Sequence, residues 1–211
     1  DRQDSENVVY LRTQGQAMEK FIKHHKNNPI DPKNVVWVHY NNSEHKSTEV
    51  ITNRIREALH GELAQESKYL PGDILSVKVN TVTLDDAAGG RDITIGKHAR
   101  AVVTRIDTNY KEEVLIDNAV VALPGTQVAA STYDNKGKLR EVKFFIPASE
   151  VMSKFANAAF MRINGRAVMK FASGATIPYM SYVSIMAEAK AFGYGFVVNT
   201  HQVQGGTYKN V

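Results

Sequence analysis

From Tyr69 to Ile146 the sequence stops, at short and fairly even intervals, on turn-forming residues: Pro71-Gly72-Asp73, Asp85–Gly90, Gly96-Lys97, Pro124-Gly125 and Asn135-Lys136-Gly137. Gly and Pro in such positions end regular structure, because one frees the backbone and the other removes a donor. The runs between them are rich in β-branched residues and read as short strands. The predicted strands are Ile74–Val82, Ile93–Ile95, Ala99–Ile106, Glu113–Ile116, Ala119–Leu123 and Val142–Ile146. Short strands at this spacing predict a small antiparallel barrel.

The flanks have a different period. Val8, Val9, Leu11, Met18, Phe21 and Ile22 mark a helix from Val8 to Lys26, stopped at Asn27-Asn28-Pro29. Val35–Tyr40 is apolar on both faces, as in a buried parallel strand. A helical pattern follows through Val50, Ile51, Ile55, Ala58 and Leu59, closed by Gly61. After the barrel, Pro147 and Ser149 start a helix over Glu150–Met161. A weakly patterned stretch leads to Pro178, then a helix over Tyr179–Ala191 and a β-like run over Tyr194–Asn199. The predicted fold is therefore α/β, with a mainly parallel sheet built from both flanks and a barrel inserted between them. The expected parts are residues 1–66, an inserted barrel over 67–147, and a return through connecting helices over 148–211.

Composition narrows the function classes. Lys and Arg number 26 against 22 Asp and Glu, a net +4, which permits a polyanion partner without demanding one. The absence of cysteine excludes a disulfide scaffold, thiolate metal sites and a Cys nucleophile, and suits a reducing, cytoplasmic setting. No apolar run is long enough to span a bilayer, so no membrane partner is expected. The chain opens without Met and closes abruptly, which suggests a piece of a longer protein. Its seven histidines show no metal-ligand spacing, so no metal site is expected. The stretch Gly90–His98 imitates a phosphate loop, yet it has five residues between its glycines instead of four, and His98 where Ser or Thr would hold Mg²⁺. It reads as a barrel turn. Trp37 reads as core, Phe155, Phe160, Met161, Met169 and Phe171 as core or covering contacts, and Tyr133, Phe144 and Phe145 are left open as base-stacking candidates.

One motif carries more information. Thr200-His201-x-x-Gln204-Gly205-x-Thr207 directly follows a predicted strand. Hydroxyl and imidazole groups there can bond phosphate oxygens, and a glycine lets backbone N–H groups approach an anion. An ordinary polar loop is the plain alternative. The element resembles motif V of superfamily 1 helicases. Arg2-Gln3 ahead of a helix resembles the Arg element that opens the second RecA-like domain of that family. Tyr40-Asn41-Asn42, with the helix carrying Asn53, Ile55, Arg56 and Leu59, is similar to its aromatic-Thr-Asn turn and following helix. In the superfamily 1B branch, which includes RecD-like and phage Dda-like enzymes, an SH3-like barrel is inserted between these elements. Pro71-Gly72-Asp73 and Ile95-Gly96-Lys97 look like parts of that insert. Gln202 stands where the branch usually has Lys, and Asn199 where Thr is common.

The resemblance implies a RecA-like parallel-sheet domain with an inserted SH3-like barrel, forming the C-terminal portion of an ATP-dependent DNA helicase. Arg2, Gln3, Gln204, Gly205 and Thr207 would bind nucleotide, and Asn42, Thr200 and His201 would bind DNA. ATP and Mg²⁺ would be held mainly by a first RecA-like domain, which with single-stranded or unwinding DNA would be the partner. No catalytic residue is expected in this chain, and alone it is expected to be inactive. The rival reading is a non-enzymatic β-barrel module that binds nucleic acid or protein.

Overall fold

A computed structural model of the chain describes residues 14–27, 31–33, 37–39, 45–90 and 92–199. Its elements run α1 (Gln14–Asn27), β1 (Trp37–His39), α2 (His45–His60), α3 (Leu63–Glu66), β2 (Ile74–Val77), β3 (Thr81–Asp86), β4 (Ile93–Gly96), β5 (Arg100–Asp107) and β6 (Lys111–Ile116). They continue with β7 (Ala119–Tyr133), β8 (Leu139–Pro147), α4 (Ser149–Ala156), β9 (Ala159–Ile163), β10 (Arg166–Lys170), β11 (Thr176–Pro178), α5 (Tyr179–Ala191), β12 (Phe192–Tyr194) and β13 (Val197–Asn199). They gather into two units, Asp1–Glu66 with Phe196–Val211, and Ser67–Gly195.

The first unit is built on helix faces. In α2 the buried residues Ile51, Thr52, Ile55 and Arg56 recur at helical spacing. The helix stops at Gly61, whose φ of +63° suits a left-handed helix end. Arg56 is 5% exposed, and its Nη1 donates to the Ala64 carbonyl at 2.8 Å, tying α2 to α3. Phe21 and His25, one turn apart on α1, stack with ring centroids 5.3 Å apart, and the His25 ring also meets Phe196 at 5.7 Å. β1 and β13 pair in parallel, with Trp37, Val38 and His39 opposite Val197, Val198 and Asn199.

The second unit is an eight-stranded antiparallel sheet that curls into an open half-barrel, in the order β12-β2-β5-β7-β8-β3-β4, with β6 paired to β7. Its interior holds Leu75, Val77, Leu84, Ile95, Val103, Val128, Val142 and Phe144. Because side chains alternate along a strand, Phe145 points the other way. It joins an outer core with Leu123, Phe155, Met169, Ile177 and Met186, supplied by α4, α5 and a separate three-stranded sheet ordered β11-β10-β9. The sheet is thus buried on both faces around β8.

The RecA-like parallel sheet expected from the sequence is not present among the described residues. Parallel pairing is confined to the two-stranded sheet of β1 and β13, and the strands that make up the bulk of the structure pair antiparallel. The error has a physical source. An apolar run buried on both faces suggests a parallel strand, but an antiparallel sheet covered on both sides yields the same pattern. Of the run Tyr194–Asn199, read as a strand of the parallel sheet, Tyr194 closes β12 in antiparallel pairing with β2, and only Val197–Asn199 pair in parallel with β1. Individual elements also shift. The run Ile74–Val82 divides into β2 and β3. The helix over Glu150–Met161 ends at Ala156, and the weakly patterned stretch after it forms β9, β10 and β11. The run Tyr194–Asn199 divides between β12 and β13, so residues 148–195 group with the barrel strands.

Candidate functional site

β1 and β13 position the segments that the sequence singles out. They are parallel and in register, so His39 and Asn199 are partners at the same, carboxyl-terminal end of the ladder. Residues 40 and 200 are bonded to those two residues. His39 and Asn199 are thus neighbours although far apart in sequence, and the segments Tyr40–Asn42 and Thr200–Thr207 that follow them in the chain lie outside the described residues. The carboxyl ends of parallel strands are where α/β units place ligand-binding loops. Asn42, Thr200 and His201, like Arg2, Gln3, Gln204, Gly205 and Thr207, lie outside the described residues. Asn199 is the last residue of β13. Arg56, on the helix behind the turn, is engaged with the Ala64 carbonyl.

The phosphate-loop imitation is a turn between β4 and β5. The Lys97 N–H donates to the Asn80 carbonyl at 2.8 Å and the His98 N–H to the Val77 carbonyl at 3.0 Å. A phosphate cradle needs free amides aimed at the ligand, and these two are spent on the fold. The Lys97 side chain is exposed, whereas Arg100 is 7% exposed within β5 and is not a surface cation.

The aromatic residues sort differently from expectation. Phe144 and Phe145 are buried in the two cores, leaving neither as a stacking platform. Phe155 and Met169 are core, as read. Phe160 and Met161, read as core or covering contacts, are 53% and 39% exposed and so are not core. They sit on β9, whose hairpin with β10 the sequence reading overlooked. The signal was available. Asn164-Gly165 between two β-capable runs marks a tight hairpin, and both residues take positive φ, +49° and +79°. This hairpin brings Arg162, Arg166 and Lys170 to the surface.

The largest electrostatic perturbation lies elsewhere in the second unit. Burial pushes the Glu188 carboxyl up to about 7, against an opposing hydrogen bond from the Phe145 N–H, with Asp85 and Glu112 adding like charge. Its Oε2 accepts that N–H at 3.0 Å, and its Oε1 accepts from the Ser184 hydroxyl at 3.4 Å. Tyr110 is pushed up to about 12, chiefly by burial and then by Glu112. Perturbed groups often mark active sites; here Glu188 fastens α5 to β8, and Tyr110, whose ring meets that of Phe145 at 6.0 Å, feels the same two carboxylates, Asp85 and Glu112. Burial also lowers Lys68 and Lys78. The Lys68 ammonium lies 5.2 Å from the Tyr69 ring centroid, and Lys78 Nζ donates to the Tyr194 carbonyl at 3.4 Å.

Among the described residues no helix is long and apolar enough to cross a membrane, and no group of three or more His, Cys, Asp or Glu could hold a metal ion. Compared with protein-family models and with curated proteins, the chain matches none.

Proposed function

We propose that the chain is part of an ATP-dependent DNA helicase of the superfamily 1B type, supplying contacts to one DNA strand and part of a nucleotide site in a cytoplasmic enzyme. The support is the in-register parallel pairing of β1 with β13. It sets His39 and Asn199, which directly precede Tyr40–Asn42 and Thr200–Thr207 in sequence, side by side at one strand end. Two polar loops emerging together at a strand end can grip a phosphate backbone through hydroxyl, imidazole and amide groups, which confers affinity without reading sequence. In this reading Asn42, Thr200 and His201 hold the DNA backbone, while Arg2, Gln3, Gln204, Gly205 and Thr207 reach the nucleotide. ATP supplies the free energy for 5′→3′ translocation, and most of its contacts, with those of Mg²⁺, come from a phosphate-loop domain that is the partner of this one.

The test is titration of labelled oligo-dT with residues 1–211 at fixed salt. Thr200→Ala with His201→Ala is expected to weaken binding by roughly tenfold, the loss of one or two phosphate hydrogen bonds. Arg2→Ala is expected to leave DNA affinity unchanged. The chain has no G-x-x-x-x-G-K-[S/T] sequence, so purified 1–211 is expected not to turn over ATP. Unchanged affinity in the double variant removes the DNA role of the loop. DNA-stimulated hydrolysis by 1–211 that survives a contaminant control overturns the division of labour.

A further inference from the structure

Between Val151 and Ala187 the chain has no Asp or Glu, but it carries Lys154, Arg162, Arg166 and Lys170. The three-stranded sheet lies inside this stretch and buries only one face. Register pairs Phe160 with Met169 and Met169 with Ile177, and Met169 and Ile177 sit in the outer core. Residues opposite one another share a face, so Met161 with Val168, Ile163 with Arg166, and Ala159 with Lys170 form the other. That face meets solvent: Met161 is 39% exposed, Ile163 41%, and Arg166 and Lys170 are exposed. On β9, the edge strand, Phe160 and Arg162 alternate to the Met169 side yet both are exposed, so they border the outer face at its edge; Phe160, 53% exposed, is braced by the Tyr179 ring at 5.2 Å and an interplanar angle of 82°. Among the described residues, the acid seen bonded to this sheet is Asp117, which accepts from the N–H and hydroxyl of Thr176, both at 2.8 Å, on β11.

We propose that this outer face, with its Phe160 edge, is a docking surface for single-stranded nucleic acid. Charge chooses the class of occupant. A surface carrying cations and no acid of its own on β9 or β10 attracts a polyanion. The apolar side chains between the cations choose among polyanions. A duplex hides its base faces and would leave Met161, Ile163 and Phe160 uncovered. A single strand offers phosphates and flat bases in alternation, matching cations interleaved with apolar and aromatic groups. Arg166 and Lys170 are four residues apart on one strand, roughly 13 Å at strand rise, a span of more than one nucleotide. The inference rests on reading the chain as a single-strand-binding protein and adds a second contact, in the other unit, independent of Thr200 and His201.

The experiment is an oligo-dT titration of residues 1–211 across salt concentrations, read by anisotropy, with Arg162→Gln/Arg166→Gln/Lys170→Gln, Phe160→Leu, and Lys136→Gln/Lys138→Gln as a charge control. The triple variant is expected to bind at least about tenfold more weakly at 0.1 M salt. Its slope of log affinity against log salt should be smaller by about two, three contacts at roughly 0.7 each. Phe160→Leu is expected to weaken binding about fivefold with the slope unchanged, as a lost stacking contact does. The control is expected to change neither. All these positions are exposed, so unchanged urea midpoints will show that the fold is intact. Parental affinity and slope in the triple variant overturn the proposal, even where the Thr200/His201 variant binds weakly. The reverse pattern keeps this surface and removes the strand-end loop. Preference for poly-glutamate over oligo-dT of equal charge also overturns it, in favour of an acidic protein partner.

Discussion

Glu188 stands where α5 crosses β8, beyond the point at which β3 leaves that strand. β3 pairs with β8 only at Asp85 and Asp86, so the Phe145 N–H is left for a side chain to accept. An unpaired buried N–H costs about 1–3 kcal/mol, which explains why a polar residue occupies an otherwise apolar contact. The carboxyl is better accommodated neutral than charged. Its value rises from 4.5 to about 7 on folding, so between those pH values the folded chain binds more protons than the unfolded one. This group's contribution to stability therefore falls as pH rises through that window and is level above it. Glu188→Gln keeps an oxygen to accept the N–H and cannot ionise. It is expected to stabilise the protein at pH 8 by on the order of 1 kcal/mol, allowing for solvent screening, and to be near neutral at pH 4.5. Urea midpoints of the parent and variant at the two pH values check this; a difference that does not vary with pH contradicts it.

β7 is the element around which the second unit is arranged. From Ala119 to Pro124 it pairs with β6, and from Gly125 onward it lies between β5 and β8. Pro124-Gly125 is where the strand changes partners. Proline lacks a donor and is tolerated where ladder bonding lapses. Gly125 allows a close approach: a Cβ there would collide with the Ile146 carbonyl oxygen and the Phe145 ring. Gly125→Ala is expected to destabilise the unit by about 2–3 kcal/mol, seen as a lower urea midpoint with an unchanged slope. The same dipeptide shows what could be read from sequence and what could not. As local punctuation it ends a strand; only the two neighbouring ladders make it a corner. Helix ends with local causes were legible, as at Gly61, and α5 spans the expected Tyr179–Ala191. The two apolar runs of the flanks do pair in parallel. The middle strands pair antiparallel, as their turn spacing predicts; that β12 and a three-stranded sheet after Ala156 group with them is a long-range property, which burial patterns could not decide. The Asn164-Gly165 hairpin was legible in principle and was hidden by a helical reading of the residues before it. The candidate DNA and nucleotide residues were chosen from motif chemistry and lie outside the described residues, so the site is legible only up to the strand ends from which its loops leave.

At the scale of the whole molecule, one unit is continuous in sequence and the other is not. Ser67–Gly195 begins and ends at a neck: β12 pairs with β2 at Tyr194 and Leu75, the Gly195 N–H donates to the Ile74 carbonyl at 2.7 Å, and the Tyr194 hydroxyl bonds the Lys68 carbonyl. Adjacent termini and two cores of its own are the marks of a unit that folds without its surroundings. The other unit takes β1 from before the neck and β13, with the buried Phe196, from after it. Residues 67–195 expressed alone are therefore expected to melt cooperatively and to protect the amides of β7 and β8 from exchange, because their hydrogen-bond partners all lie within that segment. Residues 1–66 alone are expected to show no cooperative transition. Residues 1–66 joined to 196–211 by a short Gly-Ser linker are expected to recover one, since the linker restores the β1–β13 ladder and returns Phe196 to His25. Calorimetry and hydrogen exchange on the three polypeptides separate these outcomes. An unfolded 67–195 would show that the second unit depends on the first, and a cooperative 1–66 would show that the first folds without β13 and Phe196.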